Sequence, residues 1–313
     1  MELITGKNDK DRRLDRILRK ALPDYPLPLI HKLLRQKKVL VDGKPGKAED
    51  RLDCGVRIYI KKDFTQRHIE PAVRGTQNTE KESRNKNTDS PQILWENADL
   101  IAVFKTAGIA VHGVGSLEEI MGAYLKDKLP PSLSFKPGPL HRLDKPSSGA
   151  VVFSKSLEGA RLFTSLMRER KIRKTYLAVV EGIIKSEENW RDELVRDRAK
   201  KKTFISDDGK EGKTAITNVT PLCADGGYTL IKAEIETGRT HQIRAQAASH
   251  GHPLAGDVKY GGKKNKEGFF LHAWKLEFLN YTIEAPVKLA VLNMDPNCLT
   301  DGVYKRLSVF ASS

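Results

Sequence analysis

Asp144 lies in the run Leu140-His141-Arg142-Leu143-Asp144-Lys145-Pro146-Ser147-Ser148-Gly149, just before an apolar stretch. Arg142 and Lys145 flank it, and nearby positive charge favours the ionised carboxylate. An ionised, partly buried carboxylate can act as nucleophile or general base. The same spacing also suits an aspartate that merely caps a turn. A second run, Lys174-Thr175-Tyr176-Leu177-Ala178-Val179, sets Tyr176 on a strand. Its ring could stack on a base or fill the core, since aromatics favour sheets anyway. The third run is Glu236-Thr237-Gly238-Arg239-Thr240-His241-Gln242-Ile243-Arg244. Gly238 allows a sharp strand-to-helix turn, and Thr237 or Thr240 can cap the helix. His241 and Arg244, three apart, share one helix face. That face could present a guanidinium to a carboxylate from another loop, although an ordinary surface helix begins the same way. The fourth run, from Gly251 to Gly262, reads as a shaped loop rich in glycine. His250 and His252 have no neighbouring carboxylate or cysteine to complete a recognised metal site, so no metal is expected.

No GxxxxGK[ST], no GxGxxG after a strand and no HExxH occurs in the 313 residues. The signatures of nucleotide hydrolysis, dinucleotide use and zinc proteolysis are therefore missing. What remains is a loop carboxylate, an arginine, an aromatic ring and a basic surface.

These groups need elements to hold them. From residue 92 onward strands and helices alternate. Ile93 to Trp95 and Leu100 to Phe104 flank a turn-like Asn97-Ala98-Asp99. Ser116 and Glu119 have capping-box spacing and open a helix that Pro130-Pro131 stops. Ala150 to Phe153 is an apolar strand, followed by a helix from about Ser156 to Arg170. Thr175 to Val180 is the next strand. Thr214 to Cys223 and Tyr228 to Glu236 make a hairpin, and a helix from about Thr240 to His250 stops at Gly251. Phe269 to Phe278 and Tyr281 to Glu284 form a last pair. The expected class is α+β: a domain on a mixed, mainly antiparallel sheet flanked by helices, plus a small α/β N-terminal module.

The expected domains are 1–62, a polar linker at 63–91 too poor in apolar surface to fold, and 92–313. The net charge is +15. Residues 1–62 carry 17 Lys+Arg against 9 Asp+Glu, more than half of that excess. Such a balance favours a polyanionic partner, nucleic acid first. No apolar run nears the roughly 20 residues of a membrane span, and no signal peptide is visible, so a cytoplasmic place is expected. Cys54, Cys223 and Cys298 are dispersed and read as reduced structural residues. In the N-terminal segment, Leu14, Ile17, Leu18, Ala21 and Leu22 trace one helix face. Pro28 suits the first turn of a second helix, with Leu29, Ile30, Leu33 and Leu34 inward. Val39 and Val41 alternate before the Asp42-Gly43 turn signal, and Val56, Ile58 and Ile60 close the unit.

That segment resembles the ribosomal S-four-like RNA-binding module, on RLDRILRKAL, LIHKLLRQKKVLVDGKP and GVRIYI. The resemblance implies that the second helix, with Lys32 and Arg35, and the Lys37-Lys38 edge face RNA phosphates. HRLDKPSSG at 141–149, KTYLAVVEG at 174–182, TGRTHQIR at 237–244, GHPLAGDVKYGG at 251–262 and LHAWKLEF at 271–278 are together similar to the ribosomal large-subunit (RluA-like) pseudouridine synthases. That resemblance covers nearly the whole chain apart from the linker and both tips. It implies that Asp144 is the catalytic aspartate, that Tyr176 stacks on the target base, and that Arg244 pairs with Asp144 and holds it ionised. It implies further that Arg142 helps fill the gap left by a flipped nucleotide and that Leu271 packs near the base. Arg239 and His241 are additional candidates for RNA contacts.

Two stretches depart from the family's pattern. Phe104-Lys105-Thr106-Ala107-Gly108 stands where members carry Asn-Lys-Pro, and it holds no catalytic candidate. Arg244-Ala245-Gln246 stands where an apolar residue and a histidine are common, so RNA contacts there are expected to differ. The implied reaction needs no cofactor. The implied partner is structured RNA, large-subunit ribosomal RNA ahead of transfer RNA. A catalytically inactive ribosome assembly factor is the rival reading, against which the intact Asp144, Tyr176 and Arg244 set argues. An aspartate-dependent glycosidase would need a second positioned carboxylate, and none of the four runs clearly supplies one. A monomer is expected.

Overall fold

The computed structural model describes residues 1–61, 90–206 and 212–287. The expected linker at 63–91 lies outside them except for its last two residues. The chain divides into two compact units. The first comprises Met1–Ser90, Tyr124–Pro137 and Ser156–Glu158, and so takes in more than residues 1–62.

In chain order the first unit carries β1 (Glu2–Ile4), β2 (Arg12–Arg13), α1 (Leu14–Ala21), α2 (Leu27–Arg35), β3 (Val39–Val41), β4 (Lys44–Pro45), β5 (Arg51–Leu52) and β6 (Arg57–Ile60). The apolar stripes read from the sequence meet here: Leu14, Ile17 and Leu18 pack with Ile30, Leu33, Val39 and Ile58. The β3–β4 turn places Asp42 and Gly43 at φ 46° and 81°, the left-handed pair that matches strand twist. Asp9 is fully buried. Its carboxylate accepts the backbone N–H groups of Gly6, Leu133 and Ser134 and the hydroxyls of Ser132 and Ser134. Burial alone would raise its pKa, but these hydrogen bonds outweigh burial and hold it below the usual carboxylate value.

The rest of the chain carries β7 (Ile93–Glu96), β8 (Leu100–Lys105), α3 (Leu117–Leu125), β9 (Gly138–Pro139), β10 (Ser148–Ser154), α4 (Leu157–Arg168), β11 (Arg173–Glu181), β12 (Glu188–Asp197), β13 (Lys202–Ile205), β14 (Lys213–Asp225), β15 (Tyr228–Ile235), α5 (Gln242–Ser249), β16 (Leu271–Phe278) and β17 (Tyr281–Glu284). One sheet runs β13-β12-β14-β15-β11-β16-β10-β8-β7, with β17 on β16 and β9 on β10. Among the described pairs only β10 and β16 are parallel, over Ser148↔His272 and Gly149↔Ala273. Gly149 has φ 121°, and a Cβ there would lie 2.3 Å from the Ala273 carbonyl oxygen. A side chain at this point would force the two strands apart.

The mixed, mainly antiparallel sheet agrees with the sequence reading, while several details differ. Strands β12 and β13 were not anticipated. The capping box at α3 is half formed: Ser116 Oγ accepts the Glu119 N–H, but the Glu119 carboxylate takes the N–H of Gly115. Helix α5 starts at Gln242 with His241 as its left-handed N-cap, not with a threonine cap. Thr237 Oγ1 bonds instead to Gln242 Oε1 at 2.7 Å. At the other end His252 N–H reaches Ala247 O and Gly251 N–H reaches Ala248 O, the two-bond stop that a left-handed glycine allows. Cys54 is free and exposed. Cys223 is disulfide-bonded, which corrects the reading of all three cysteines as reduced. No helix among the described residues is long and apolar enough to cross a membrane.

Candidate active site

Asp144 sits on the loop between β9 and β10, and Arg244 sits in the first turn of α5. The sheet brings them together across 100 residues of sequence: Arg244 Nη1 donates to Asp144 Oδ2 at 2.9 Å. Helix α5 is not a surface helix. Gln242 to Ala247 are all buried, and Ile243 and Ala247 pack on Ala178, Ile231 and Ala233 of the sheet. Arg244 is thus a buried guanidinium, 5% exposed. Burial opposes its charge, but Asp257 and Asp144 outweigh that and raise its pKa above the usual arginine value.

A small open cleft of about 70 Å³ lies over this pair. Its lining includes Asp144, Tyr176, Leu271, Arg142, Arg239 and His241. All seven cleft residues singled out in the sequence, counting Arg244, therefore share one opening. Tyr176 lies at a bulge where β11 slips its register against β16, which re-aims the side chain. Burial first, and the Asp144 charge second, push its phenol pKa up, so the hydroxyl stays protonated. Leu271 opens β16, buried beside the cleft. Arg142 is exposed and Arg239 half-buried. Among the described residues Asp144 is the only carboxylate in the lining, which does not suit the paired acids of glycoside hydrolysis.

His241 Nε2 stands 3.7 Å from Asp144 Oδ2, beyond hydrogen-bond range. Burial, reinforced by Arg244, Arg196 and Lys259, lowers its pKa to about 4 despite the Asp144 charge, so the ring is neutral at neutral pH. Its Nδ1 faces Tyr260 Oη at 2.8 Å and Arg196 Nη1 at 3.5 Å. The guanidinium is donor-only and the hydroxyl can donate. The ring proton therefore belongs on Nε2, toward Asp144.

Sequence reasoning missed Lys105, at the end of β8 in the stretch read as holding no candidate. Its side chain is fully buried. Nζ donates to the carbonyls of Thr106, Lys145 and Ser147 at 3.1, 3.2 and 2.5 Å. It thereby clasps the loop that carries Asp144, and Ser147 N–H closes a turn on Asp144 O. Burial lowers its pKa to about 8, with the Asp144 charge opposing. A strand-end lysine gave no local sign of this. The second departure also resolves. Gln246 is fully buried and donates to Trp190 O and Asp192 Oδ2 while accepting from Thr217. It is an internal cross-link and offers RNA nothing. The N-terminal candidates Lys32, Arg35 and Lys37 are exposed, and Lys38 is half-buried. His250 pairs with Asp192 and His252 with Glu181 O.

A carboxylate hydrogen-bonded to a buried guanidinium, with an aromatic ring in the same cleft, is the arrangement that the sequence resemblance implies. The family model described as RNA pseudouridylate synthase matches residues 99–249. An uncharacterised RNA pseudouridine synthase of Aquifex aeolicus is 33% identical over 267 residues, covering 82% of this chain and 79% of that protein. The ribosomal large subunit pseudouridine synthase D of Neisseria meningitidis is 30% identical over 325 residues, covering 95% of this chain and 78% of the relative. The human RNA pseudouridylate synthase domain containing 1 shares the fold, with TM-score 0.57 over 72% of this chain and 96% of its own at 21% identity. The chain belongs to the RNA pseudouridylate synthase family, and it is an isomerase that converts uridine to pseudouridine in RNA.

Proposed function

We propose that this chain isomerises selected uridines of large-subunit ribosomal RNA, working as a cytoplasmic monomer, with Asp144 as the essential carboxylate. The observation that carries the reading is the 2.9 Å contact between Arg244 Nη1 and Asp144 Oδ2 in the cleft that Tyr176 lines. Support for the RNA comes from relatives bearing the names ribosomal large subunit pseudouridine synthase D and C.

The reaction breaks the bond from ribose C1′ to uracil N1 and remakes it to C5. The C5 proton leaves and N1 gains one, so composition is unchanged and no cofactor takes part. The nucleotide must leave its stack to bring C1′ to Asp144, which costs on the order of a few kcal/mol. Stacking on Tyr176 returns about 1–3 kcal/mol, and phosphate contacts offset the rest. Arg142 fills the vacated space, while Leu271 closes on the base edge. Arg239 and His241 reach the flanking RNA. Arg244 aims Asp144, whether the carboxylate attacks the sugar, attacks the base or removes a sugar proton. The S-four-like segment also holds the RNA, through Lys32, Arg35, Lys37 and Lys38, acting on phosphates that position without reading sequence.

The test is Asp144→Asn with RNA labelled by tritium at uridine C5. Tritium release should vanish while RNA affinity stays within about threefold, because the change removes one charge and no stacking surface. Turnover by the Asn variant would sink the assignment. Pseudouridine maps of cells with and without the protein then identify the uridines.

A further inference from the structure

Arg244 spends only Nη1 on Asp144. Its other edge belongs to Asp257: Nε donates to Oδ2 at 2.6 Å and Nη2 to Oδ1 at 2.9 Å. This is the two-pronged guanidinium–carboxylate match, which sets a plane as well as a distance. Asp257 is 2% exposed and does not line the cleft. The guanidinium carbon also lies 5.0 Å from the Tyr260 ring centroid and 4.5 Å from that of Phe269. Aromatic faces attract the cation and confine its tilt.

The backbone around Asp257 is shaped to hold it there. Gly256 has φ 87°, and a Cβ on it would stand 2.4 Å from Gly268 O. A Cβ on Gly262 would stand 2.2 Å from Leu254 O, and Gly262 N–H closes on Asp257 O at 3.0 Å. Tyr260 N–H also reaches Asp257 O, at 2.9 Å. The Tyr260 hydroxyl accepts the Thr203 N–H at 2.9 Å and meets His241. The Gly-Asp-Val-Lys-Tyr-Gly-Gly loop therefore braces both the Arg244 guanidinium and the neutral His241 ring that face Asp144.

We infer that Asp257 is a positioning residue for the isomerisation. It acts through Arg244, fixing the direction of the Nη1–H bond and so the aim of Asp144, without touching the nucleotide. A guanidinium tethered to the loop carboxylate by one nitrogen alone would swing about that contact. The clamp on its opposite edge removes that freedom before RNA arrives. The inference rests on the functional reading above.

The test uses the full chain and a large-subunit ribosomal RNA transcript labelled with tritium at uridine C5. Asp257→Asn keeps shape and volume but replaces one acceptor oxygen by an N–H₂ group that opposes the Arg244 donor. Rates are normalised to the folded fraction, counted from RNA-binding stoichiometry, so that loss of folded protein does not register as loss of rate. Outer supporting partners of reactive groups are typically worth 10–100-fold, so kcat should fall about 10–100-fold with KM and RNA Kd within about threefold. If Asp257→Asn does not fold, Asp257→Glu keeps the charge but advances it by one methylene. A misplacement of about 1 Å can cost on the order of 100-fold, so at least a tenfold loss of kcat is expected. Normalised kcat within threefold of the natural chain in the variant that folds overturns the inference, as does a loss confined to KM. A natural chain that releases no tritium overturns the functional reading, and this inference with it.

Discussion

Replacing Lys105 by methionine separates the charge of this side chain from its bulk. In the folded chain its ammonium titrates at about 8, against 10.5 for a free lysine. The cause is burial, which disfavours the charged form more than Asp144 favours it. The folded value lies below the unfolded one, so the unfolded chain holds a proton that the folded chain has released between the two. Stability attributable to Lys105 is therefore full above 10.5 and is lost as pH falls through about 8. Each pH unit inside that window is worth about 1.4 kcal/mol per proton. From about pH 7 to about pH 9.5 the natural chain should gain about 2 kcal/mol relative to Lys105→Met. Urea unfolding of both proteins at the two pH values measures the gap. The same titration should touch activity. A neutral amine has two N–H groups for three carbonyls, so the Asp144 loop loses a tether and kcat of the natural chain should decline above about pH 8. Lys105→Met should be slower throughout, by on the order of tenfold from misplacement of the loop, and should lack that alkaline decline. Stabilities that run parallel with pH, or a gap that closes as pH rises, would refute the account of Lys105 as a buried cation.

Asp9→Ala strips the acceptor from five donors in the first unit. Buried donors left unmet cost about 1–3 kcal/mol each, so a loss of at least about 3 kcal/mol is expected in thermal or urea melts. Because the folded pKa of Asp9 lies below the ordinary value, its contribution is present above the unfolded pKa and fades as pH falls through the folded one. The penalty of Asp9→Ala should therefore shrink in acid, and a constant penalty down to the acid transition would count against the assignment. Tyr176→Phe keeps the ring and should retain RNA affinity to within about threefold, whereas Tyr176→Ala should weaken binding of the everted nucleotide by about 1–3 kcal/mol. Equal losses in the two variants, read from RNA titrations, would show that the hydroxyl and not the stacking face is what counts.

How far the sequence disclosed this protein depends on where polar groups end up. The pairing of Asp144 with Arg244 was legible only through the family resemblance, because by spacing alone the one suits a turn cap and the other an ordinary helix start. The helix faces around Leu14 and Ile30 were legible because nothing polar interrupts them. Strand β12 was not, because its inward side mixes Trp190 and Leu194 with Asp192, whose carboxylate accepts from Gln246 and meets His250. A hydrophobic alternation broken by an internal polar cross-link looks like a loop. Helix α5 misleads in the same way: its Gln, Arg and Gln suggest a wetted face, yet the two glutamines bond carbonyls, hydroxyls and a carboxylate around the sheet, and Arg244 bonds the carboxylates of two loops. Lys105 shows the limit most sharply. What decides its role is the carbonyls of Lys145 and Ser147, some 40 residues away along the chain.

The short parallel seam between Ser148–Gly149 and His272–Ala273 joins segments 124 residues apart, so it can form only once a strand distant in sequence is present. Strand β16 lies between β10, which follows the Asp144 loop, and β11, which carries Tyr176. A chain truncated before Leu271 lacks the strand that joins those two, so loss of activity is the expected outcome however basic its N-terminal portion.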